Sequence, residues 1–309
     1  MISVVIPLYN KAPSIVRCLK SVLEQTVLPD ELIIINDGSK DDGFELAKQT
    51  VAIDTKISIQ FIDQKNNGVS YTRNKGVSLA KNKYVALLDA DDEWHPKFIE
   101  TATEQICKNY DISLFTCKHE VCDESIGRFI PPQKFGYDKS GTIDNYLNRA
   151  RNHPIVNSSK IVVNKYYFEK VGGFPENARV SEDLFMWIKM DECAPIIYCN
   201  DLLVSIHQTP DDSRHSRIGE VPYPIVYYTK DNLTKNKNID LYLYLWNLHL
   251  NHVLGSCASN KNEALTRIVY GIKLFKLKGF FLFSLLLIPK SVFKFLRFRR
   301  RLKMVKASV

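Results

Sequence analysis

Three aspartates that follow an apolar segment are the residues of this chain most capable of chemistry. Residues 84–88 read Tyr-Val-Ala-Leu-Leu and lead into Asp89, Asp91 and Asp92. A continuous apolar run of this kind is typical of a strand that is buried on both faces. Clustered carboxylates repel one another unless a cation offsets their charge, and a divalent metal is a natural partner for oxygen ligands. The alternative is a solvated acidic turn before a helix that starts near Pro96.

The elements that must position these aspartates alternate between apolar segments and helical patterns. Predicted strands cover residues 2–7, 31–35, 57–62, 84–88 and 112–117, and predicted helices cover 14–25, with Ser14 as N-cap, 42–51, 70–80 and 96–110. This order predicts a mainly parallel, twisted α/β sheet with helices on both faces. Ligands bind such sheets at the carboxyl ends of the strands. Residues 7–10, 36–39 and 89–92 fall at those ends and together predict a binding site.

The second half of the chain is less regular. Residues 120–152 contain Gly, Pro, Asn and scattered charge, which indicates a long surface segment. The pattern then predicts a strand over 161–163, a helix over 165–171, a helix from Ser181, two strands over 196–199 and 202–206, and helices within 222–270. No internal repeat interrupts this order.

Composition restricts the class of protein. Hydrophobic residues make up 45% and charged residues 25% of the 309 residues, which is ordinary for a large α/β domain or a domain with an appendage. The seven cysteines have no Cys-x-x-Cys spacing, which argues against a zinc knuckle or a redox pair and suits a reducing cytosol. A strand pattern begins at Ile2, so we expect no signal peptide and a cytoplasmic location.

The net charge of +8 originates in the C-terminal tail. Residues 273–309 contain seven Lys, four Arg and no acid, so residues 1–272 are slightly acidic and a nucleic-acid groove is not expected. The longest uncharged run of the tail, residues 279–289, has 11 residues, whereas a spanning helix needs about 20. We predict amphipathic helices on the cytosolic membrane surface. A helical hairpin packed on the domain or in a dimer is the alternative, and the oligomeric state stays open.

Six motifs carry a resemblance to a known family. They are Val-Val-Ile-Pro-Leu-Tyr-Asn at 4–10, Asn-Asp-Gly-Ser at 36–39, residues 68–73, Asp-Ala-Asp-Asp at 89–92, Gly-Gly-Phe at 172–174 and Ser-Glu-Asp at 181–183. Together they resemble family 2 glycosyltransferases of the bacterial polysaccharide type, which have the GT-A fold. The resemblance implies a GT-A catalytic domain over 1–215, with a nucleotide-sugar half at about 1–118 and an acceptor half at about 119–215. A helical segment over 216–272 and a basic amphipathic tail over 273–309 follow.

The resemblance also assigns nucleotide-binding residues, namely Pro7, Tyr9, Asp37, Arg73 and Asp89. The ring of Tyr9 would stack on the base, or else it is a core tyrosine. Asp37 would accept a hydrogen bond from the base, or else it caps a turn. Arg73 would contact the pyrophosphate or hold the aspartates, and Asp89 would bind the ribose. Asn36 stands where many relatives have Asp.

Metal and sugar ligands are implied in the same way. Asp91, Asp92 and His207 would hold Mn²⁺ or Mg²⁺, although the spacing does not decide which aspartate binds the metal, and the chain lacks the Arg that relatives often have two residues before the His. Gly173, Phe174 and Trp187 would contact the donor or acceptor sugar. The alternatives are glycines that end a helix and a Trp187 that belongs to the core.

By resemblance, Asp183 is the general base. It would take the proton of an acceptor hydroxyl that attacks the anomeric carbon with inversion, while Glu182 positions the acceptor or the sugar. The alternative is stabilisation of both acids by the helix dipole. We therefore predict an inverting, metal-dependent glycosyltransferase that moves a sugar from a nucleotide-diphosphate donor, with UDP favoured, to a glycan or lipid-linked acceptor. A sugar nucleotidyltransferase would need a basic Gly-rich loop that residues 8–12 do not provide. A non-catalytic carbohydrate-binding or scaffold module is the other alternative.

Overall fold

One mixed sheet organises the computed structural model, which describes residues 2–52, 56–109, 111–131, 139–151, 155–208, 220–230, 238–296 and 299. Its strands are β1 (Ile2–Leu8), β2 (Glu31–Asp37), β3 (Ser58–Gln64), β4 (Tyr84–Leu87), β5 (Glu93–Trp94), β6 (Leu114–Asp123), β7 (Gly127–Phe129), β8 (Gly141–Thr142), β9 (Ile161–Asn164) and β10 (Ile196–Gln208). Their spatial order is β3-β2-β1-β4-β9-β6-β10-β5, with β7 beside β6 and β8 beside β10.

The amino-terminal half has the predicted alternation of parallel strands and helices. Strands β3, β2, β1 and β4 pair in parallel. The helices between and after them are α1 (Ala12–Leu23), α2 (Gly43–Val51), α3 (Val69–Leu79) and α4 (Phe98–Lys108). Every residue of β2 is buried, as expected for a parallel strand covered on both faces. At Gly76 an added Cβ would lie 2.2 Å from Val5 Cγ1, so this glycine lets α3 pack closely on β1.

The structure differs from the prediction in three places, two of them in the second half of the sheet. The two strands expected over 196–206 form the single strand β10, because a bulge between Cys199 and Val204 absorbs the polar residues between them. Residues 120–152 contribute β7, β8 and α5 (Tyr146–Ala150), whose Tyr146 and Leu147 are buried in the core. Finally, Ser14 does not cap α1, which begins two residues earlier with Lys11 as N-cap.

Helices continue the core of the sheet toward the C-terminus. They are α6 (Lys165–Lys170), α7 (Glu182–Asp191), α8 (Tyr223–Lys230), α9 (Ile239–Ser259), α10 (Lys261–Phe275) and α11 (Leu277–Phe281), followed by a 3-10 turn over Leu282–Leu287. Tyr244 and Phe275 belong to the same buried cluster as Trp187 of α7. The C-terminal helices therefore pack on the sheet domain, and α10 runs across the boundary predicted at residue 273.

No single helix in the described ranges combines the length and apolarity needed to cross a bilayer. Segments Lys278–Leu287 and Lys290–Leu296 meet these criteria only when they are taken together, and they are bent by 105° relative to each other.

Candidate active site

The exits of β1, β2 and β4 lie at one edge of the sheet, as their parallel pairing requires. Leu8 of β1 is in register with Asn36 of β2, and Val5 is in register with Leu87 of β4. Pro7 lies within β1, and Tyr9, which follows it, is 44% exposed. An exposed ring at this edge is available for stacking on a planar ligand.

Asp37 anchors the loop that leads into α3. Its carboxylate accepts hydrogen bonds from Gln64 Nε2 (2.8 Å), the Asn67 amide (2.9 Å) and the Gly68 amide (2.9 Å). Three donors satisfy this buried acid without a cation. Asn36 has a similar structural task, since its side chain bonds Asp63 Oδ1 at 2.8 Å and the Ser39 amide at 3.1 Å. Contact of Asp37 with a base stays a prediction.

Arg73 connects the aspartates that follow β4 with the acidic pair that opens α7. Its Nη2 donates to Asp89 Oδ1 at 2.6 Å, and its Nη1 lies 4.0 Å from Glu182 Oε1. Burial by itself would lower the pKa of Arg73, but the charges of Asp89, Glu182 and Asp183 raise it overall. Arg73 thus holds Asp89, one of the three aspartates after β4, and its contact with a pyrophosphate stays a prediction.

The three aspartates after β4 have different surroundings. Asp92 is buried, and its two carboxylate oxygens accept hydrogen bonds from Ser159 Oγ and, at 2.8 Å, from the His207 amide. Burial, together with the charges of the other two aspartates, raises its pKa. Asp91 is partly exposed and forms an ion pair with Lys11, 2.8 Å from Nζ to Oδ2. Asp89 and Asp91 have similarly exposed side chains, 28% and 30%, and each forms an ion pair, Asp89 with Arg73 and Asp91 with Lys11.

The metal role of Asp91, Asp92 and His207 stays a prediction, because all three side chains contact protein groups in this structure. His207 Nε2 lies 3.0 Å from Glu93 Oε1, and Asp92 binds protein groups through both oxygens. Within the part of the chain that the structure describes, no three His, Cys, Asp or Glu side chains are grouped to hold a metal. A cation at Asp91 would take the place of the Lys11 ammonium and most of its ligands from phosphate and water, as Mg²⁺ usually does.

Substitutions of Asp92 test whether this residue is structural or a metal ligand. We expect Asp92→Asn to change the free energy of unfolding by less than about 1 kcal/mol, because an amide can accept from the His207 N–H and donate to Ser159 Oγ. Asp92→Ala should cost about 2 kcal/mol or more, since both partners lose their bond. Urea denaturation measures both. If Asp92→Asn instead abolishes metal-dependent nucleotide binding with stability unchanged, Asp92 is a metal ligand.

Glu182 and Asp183 form the first turn of α7. Ser181, the N-cap residue, has φ 62°, a left-handed conformation that is unfavourable for a residue other than glycine. Asp183 Oδ1 accepts the Leu184 amide at 2.8 Å. Burial, and next the charge of Glu182, raise the pKa of Asp183 to about 6. A carboxylate with this pKa beside the Arg73 network has the properties of a general base near neutral pH.

The residues predicted to contact sugar are mostly in the core. Trp187 is 0% exposed and Phe174 is 1% exposed, and their rings pack edge to face at 5.7 Å. Trp187 therefore belongs to the core, which was its alternative, whereas approach of the backbone at 172–174 to the donor sugar stays a prediction. Gly173 has φ 71°, and an added Cβ would lie 2.6 Å from Asn74 Oδ1. This glycine therefore lets the chain approach α3 closely, and its contact with the donor sugar stays a prediction.

Sequence reasoning missed four residues that position the site. Asn74 clasps Phe174, donating to its carbonyl and accepting from its amide, both at 2.8 Å. Ser159 bonds Asp92, and Lys11 pairs with Asp91. Gln64 bonds both Asp37 and Thr72. Asn74 and Lys11 directly follow the motifs at 68–73 and 4–10, and this position is the only sequence signal that could have identified them. Ser159 and Gln64 have no such signal.

A cleft of about 340 Å³ opens beside these residues, at the start of α3. Its walls are Asn67, Gly68, Val69, Ser70, Glu176, Ala178, Arg179, Glu182 and Glu220. The first amides of a helix point their N–H groups outward and favour an anion. The cleft thus extends from the amino end of α3 to Glu182 at the start of α7.

Comparison with known proteins agrees with this geometry. The model of glycosyl transferase family 2 matches residues 3–172. A protein of Rickettsia prowazekii (strain Madrid E), described as an uncharacterized glycosyltransferase, is 27% identical over 209 residues, which are 66% of this chain and 63% of the relative.

Two solved structures are similar in fold. Staphylococcus aureus TarS 1–349 in complex with UDP-GlcNAc has a TM-score of 0.70 at 16% identity, and the match covers 88% of this chain and 81% of TarS. The mannosyltransferase PcManGT of Pyrobaculum calidifontis, in complex with GDP-Man and Mn²⁺, has a TM-score of 0.60 at 17% identity, with 92% and 78% covered. Both similarities support the GT-A fold.

The family model covers more than half of the chain, and this chain belongs to glycosyl transferase family 2. The predicted family and fold class are confirmed. The chain spans 63% of the length of the Rickettsia relative.

Proposed function

We propose that this protein is an inverting glycosyltransferase that uses a nucleotide-diphosphate sugar, with a UDP-sugar as the favoured donor. The observation that carries the proposal is the buried Arg73, which pairs with Asp89 at the sheet edge and lies 4.0 Å from Glu182. This one side chain ties a nucleotide-type site to a carboxylate pair suited to base catalysis. The UDP-GlcNAc named for the TarS structure supports the choice of donor.

The donor would lie along the carboxyl ends of β1, β2 and β4. Tyr9 stacks on the base, and Asp89, held by Arg73, accepts a hydrogen bond from the ribose. The N–H groups that open α3 face the diphosphate. A divalent cation bound at Asp91 would supply positive charge to the diphosphate leaving group. The Mn²⁺ named for the PcManGT structure supports this cofactor, and Mg²⁺ satisfies the same donor set.

The acceptor hydroxyl would reach the anomeric carbon from the side of Asp183. Because Oδ1 of Asp183 accepts the Leu184 amide, we assign Oδ2 as the atom that takes the hydroxyl proton. The acceptor oxygen forms the new bond to the anomeric carbon from the face opposite the leaving group. The bond from that carbon to the phosphate oxygen breaks, and the nucleoside diphosphate leaves with the electron pair. The configuration at the carbon is therefore inverted, and a glycan or lipid-linked hydroxyl serves as acceptor.

Thermal unfolding with a panel of nucleoside diphosphates, with and without Mn²⁺, tests the donor site. A ligand that binds only the folded state stabilises it by about 2.7 kcal/mol at a hundredfold excess over Kd. We expect a metal-dependent shift for UDP that disappears in Asp91→Asn. Glu104→Gln is the control, because Glu104 is an exposed carboxylate that pairs only with Lys108 of its own helix among the contacts found. A folded protein that no nucleotide stabilises would favour the non-catalytic module.

A further inference from the structure

Exposed apolar side chains are concentrated in one C-terminal segment. Of the fourteen large hydrophobic residues found exposed in the described ranges, six lie between residues 280 and 296. They are Phe280 (56%), Phe281 (78%), Leu287 (85%), Val292 (42%), Phe295 (58%) and Leu296 (55%). Single exposed hydrophobic residues are normal on a protein surface, but a cluster of this size marks a binding surface. We call residues 278–296 the apolar-basic surface.

The segment that carries the apolar-basic surface packs against the rest of the protein. Leu282 and Phe293 are 5% and 7% exposed, and they pack in a cluster with Val253, Cys257 and Ile268 of α9 and α10. The segment therefore has an inner face attached to the helices and an outer face that carries the exposed aromatic residues. This arrangement differs from both expectations for the tail, since it is packed on the protein and still presents apolar residues outward.

Basic side chains accompany the exposed aromatic residues. Lys278, Lys290 and Lys294 are exposed within the apolar-basic surface, and Arg299 lies over the Phe295 ring at 5.8 Å. In the sequence no Asp or Glu follows Glu263. An apolar surface with cations and without anions is complementary to a surface that has hydrocarbon beneath negative charge.

We propose that the apolar-basic surface docks on an anionic lipid bilayer, with Phe281 and Phe295 in the acyl boundary and the lysines at the headgroups. Charge complementarity favours this partner over a second copy of the chain. Two copies would bring like charges together without any acid after Glu263 to offset them. Docking would place the site near acceptors that are lipid-linked, but the binding itself does not depend on the proposed transferase activity.

Sedimentation with vesicles tests the proposal. The full chain is mixed with vesicles of phosphatidylcholine alone, or of equal parts phosphatidylcholine and phosphatidylglycerol. We expect at least tenfold stronger partition into the anionic vesicles, and a loss of that preference in about 1 M salt, where the Debye length is about 3 Å. Equal binding to both vesicles at low salt, or no binding to either, would overturn the proposal.

Variants distinguish the surface from non-specific adhesion. Phe281→Ser with Phe295→Ser should weaken partition at least tenfold. Lys294→Gln removes one exposed cation and no apolar side chain, and it should weaken partition about fivefold, since each surface lysine contributes about 1 kcal/mol. The matched control is Leu79→Ser with Tyr166→Ser, two residues that are 40% and 62% exposed elsewhere on the molecule. Partition that falls equally in the control would contradict the proposal. So would a concentration-dependent dimer of the 35.5 kDa chain that the Phe variant dissociates.

Discussion

Asp183→Asn is expected to lower sugar transfer by roughly 10²- to 10⁴-fold, the range typical of a lost general base, while nucleotide affinity stays unchanged. The amide keeps the shape of the side chain and can still accept the Leu184 amide through its oxygen. It cannot accept the proton of the acceptor hydroxyl. Initial rates of transfer with the donor identified by thermal unfolding, and its Kd from titration, separate the two effects.

The pH profile makes this prediction sharper. Burial raises the pKa of Asp183 to about 6, and only the deprotonated carboxylate can act as base. The rate should therefore be constant above about pH 6 and fall tenfold for each pH unit below it. The residual activity of Asp183→Asn should lack this decrease at acid pH, which we call the acid limb.

Asp191→Asn provides a matched control on the same helix. Burial raises the pKa of Asp191 to about 6 as well, yet it lies at the other end of α7. Its replacement should leave both the rate and the acid limb unchanged. An acid limb that persists in Asp183→Asn and disappears in Asp191→Asn would contradict the assignment of the base.

The same pKa determines the effect on stability. A folded-state pKa above the unfolded value means that the folded protein binds the proton more tightly, so the contribution of Asp183 to stability is complete at low pH and is lost as pH rises through about 6. Asp183→Asn should therefore unfold at a higher temperature than the wild type at pH 8, with a smaller difference at pH 4. A protein is expected to be less stable than such a variant where its function needs a buried charge.

Arg73→Met is expected to destabilise the fold by about 3 kcal/mol, at the lower end of the range for breaking a buried ion pair. The substitution leaves the carboxylates of Asp89, Glu182 and Asp183 without their shared cation. The lower end applies because the Asp89 side chain is 28% exposed and water can solvate it in part. Urea denaturation at pH 7 measures the difference in the free energy of unfolding.

Two comparisons show whether the loss arises from charge. Arg73→Met with Glu182→Gln should be more stable than Arg73→Met alone, because one uncompensated carboxylate is removed. Arg128→Met removes an ion pair of 3.2 Å with Glu120 in which Arg128 is 66% exposed, and it should change stability by less than about 0.5 kcal/mol. Equal losses for Arg73→Met and Arg128→Met would contradict the central role of Arg73.

Much of the amino-terminal half was predictable because its signals are local. Strands β1, β2 and β4 are almost wholly buried, so each reads as a mostly apolar run, and the helices between the strands have their own periodicity. Parallel pairing then brings the strand exits to one edge, so residues 7–10, 36–39 and 89–92 could be joined before any distance was known. The acidic pair at 182–183 was recognisable only through the resemblance, because charges that open a helix have an ordinary explanation.

The sequence by itself determined the family, the α/β class and the edge of the sheet where the polar residues meet. The tertiary structure alone decided which of these residues are buried and which charges pair. It buried Asp92 and left Asp91 partly exposed, placed Trp187 in the core, and made Arg73 the link between two acidic clusters 93 residues apart in the sequence, from Asp89 to Glu182. The physical reason is that burial and charge pairing depend on residues distant in the chain, and no local pattern records them.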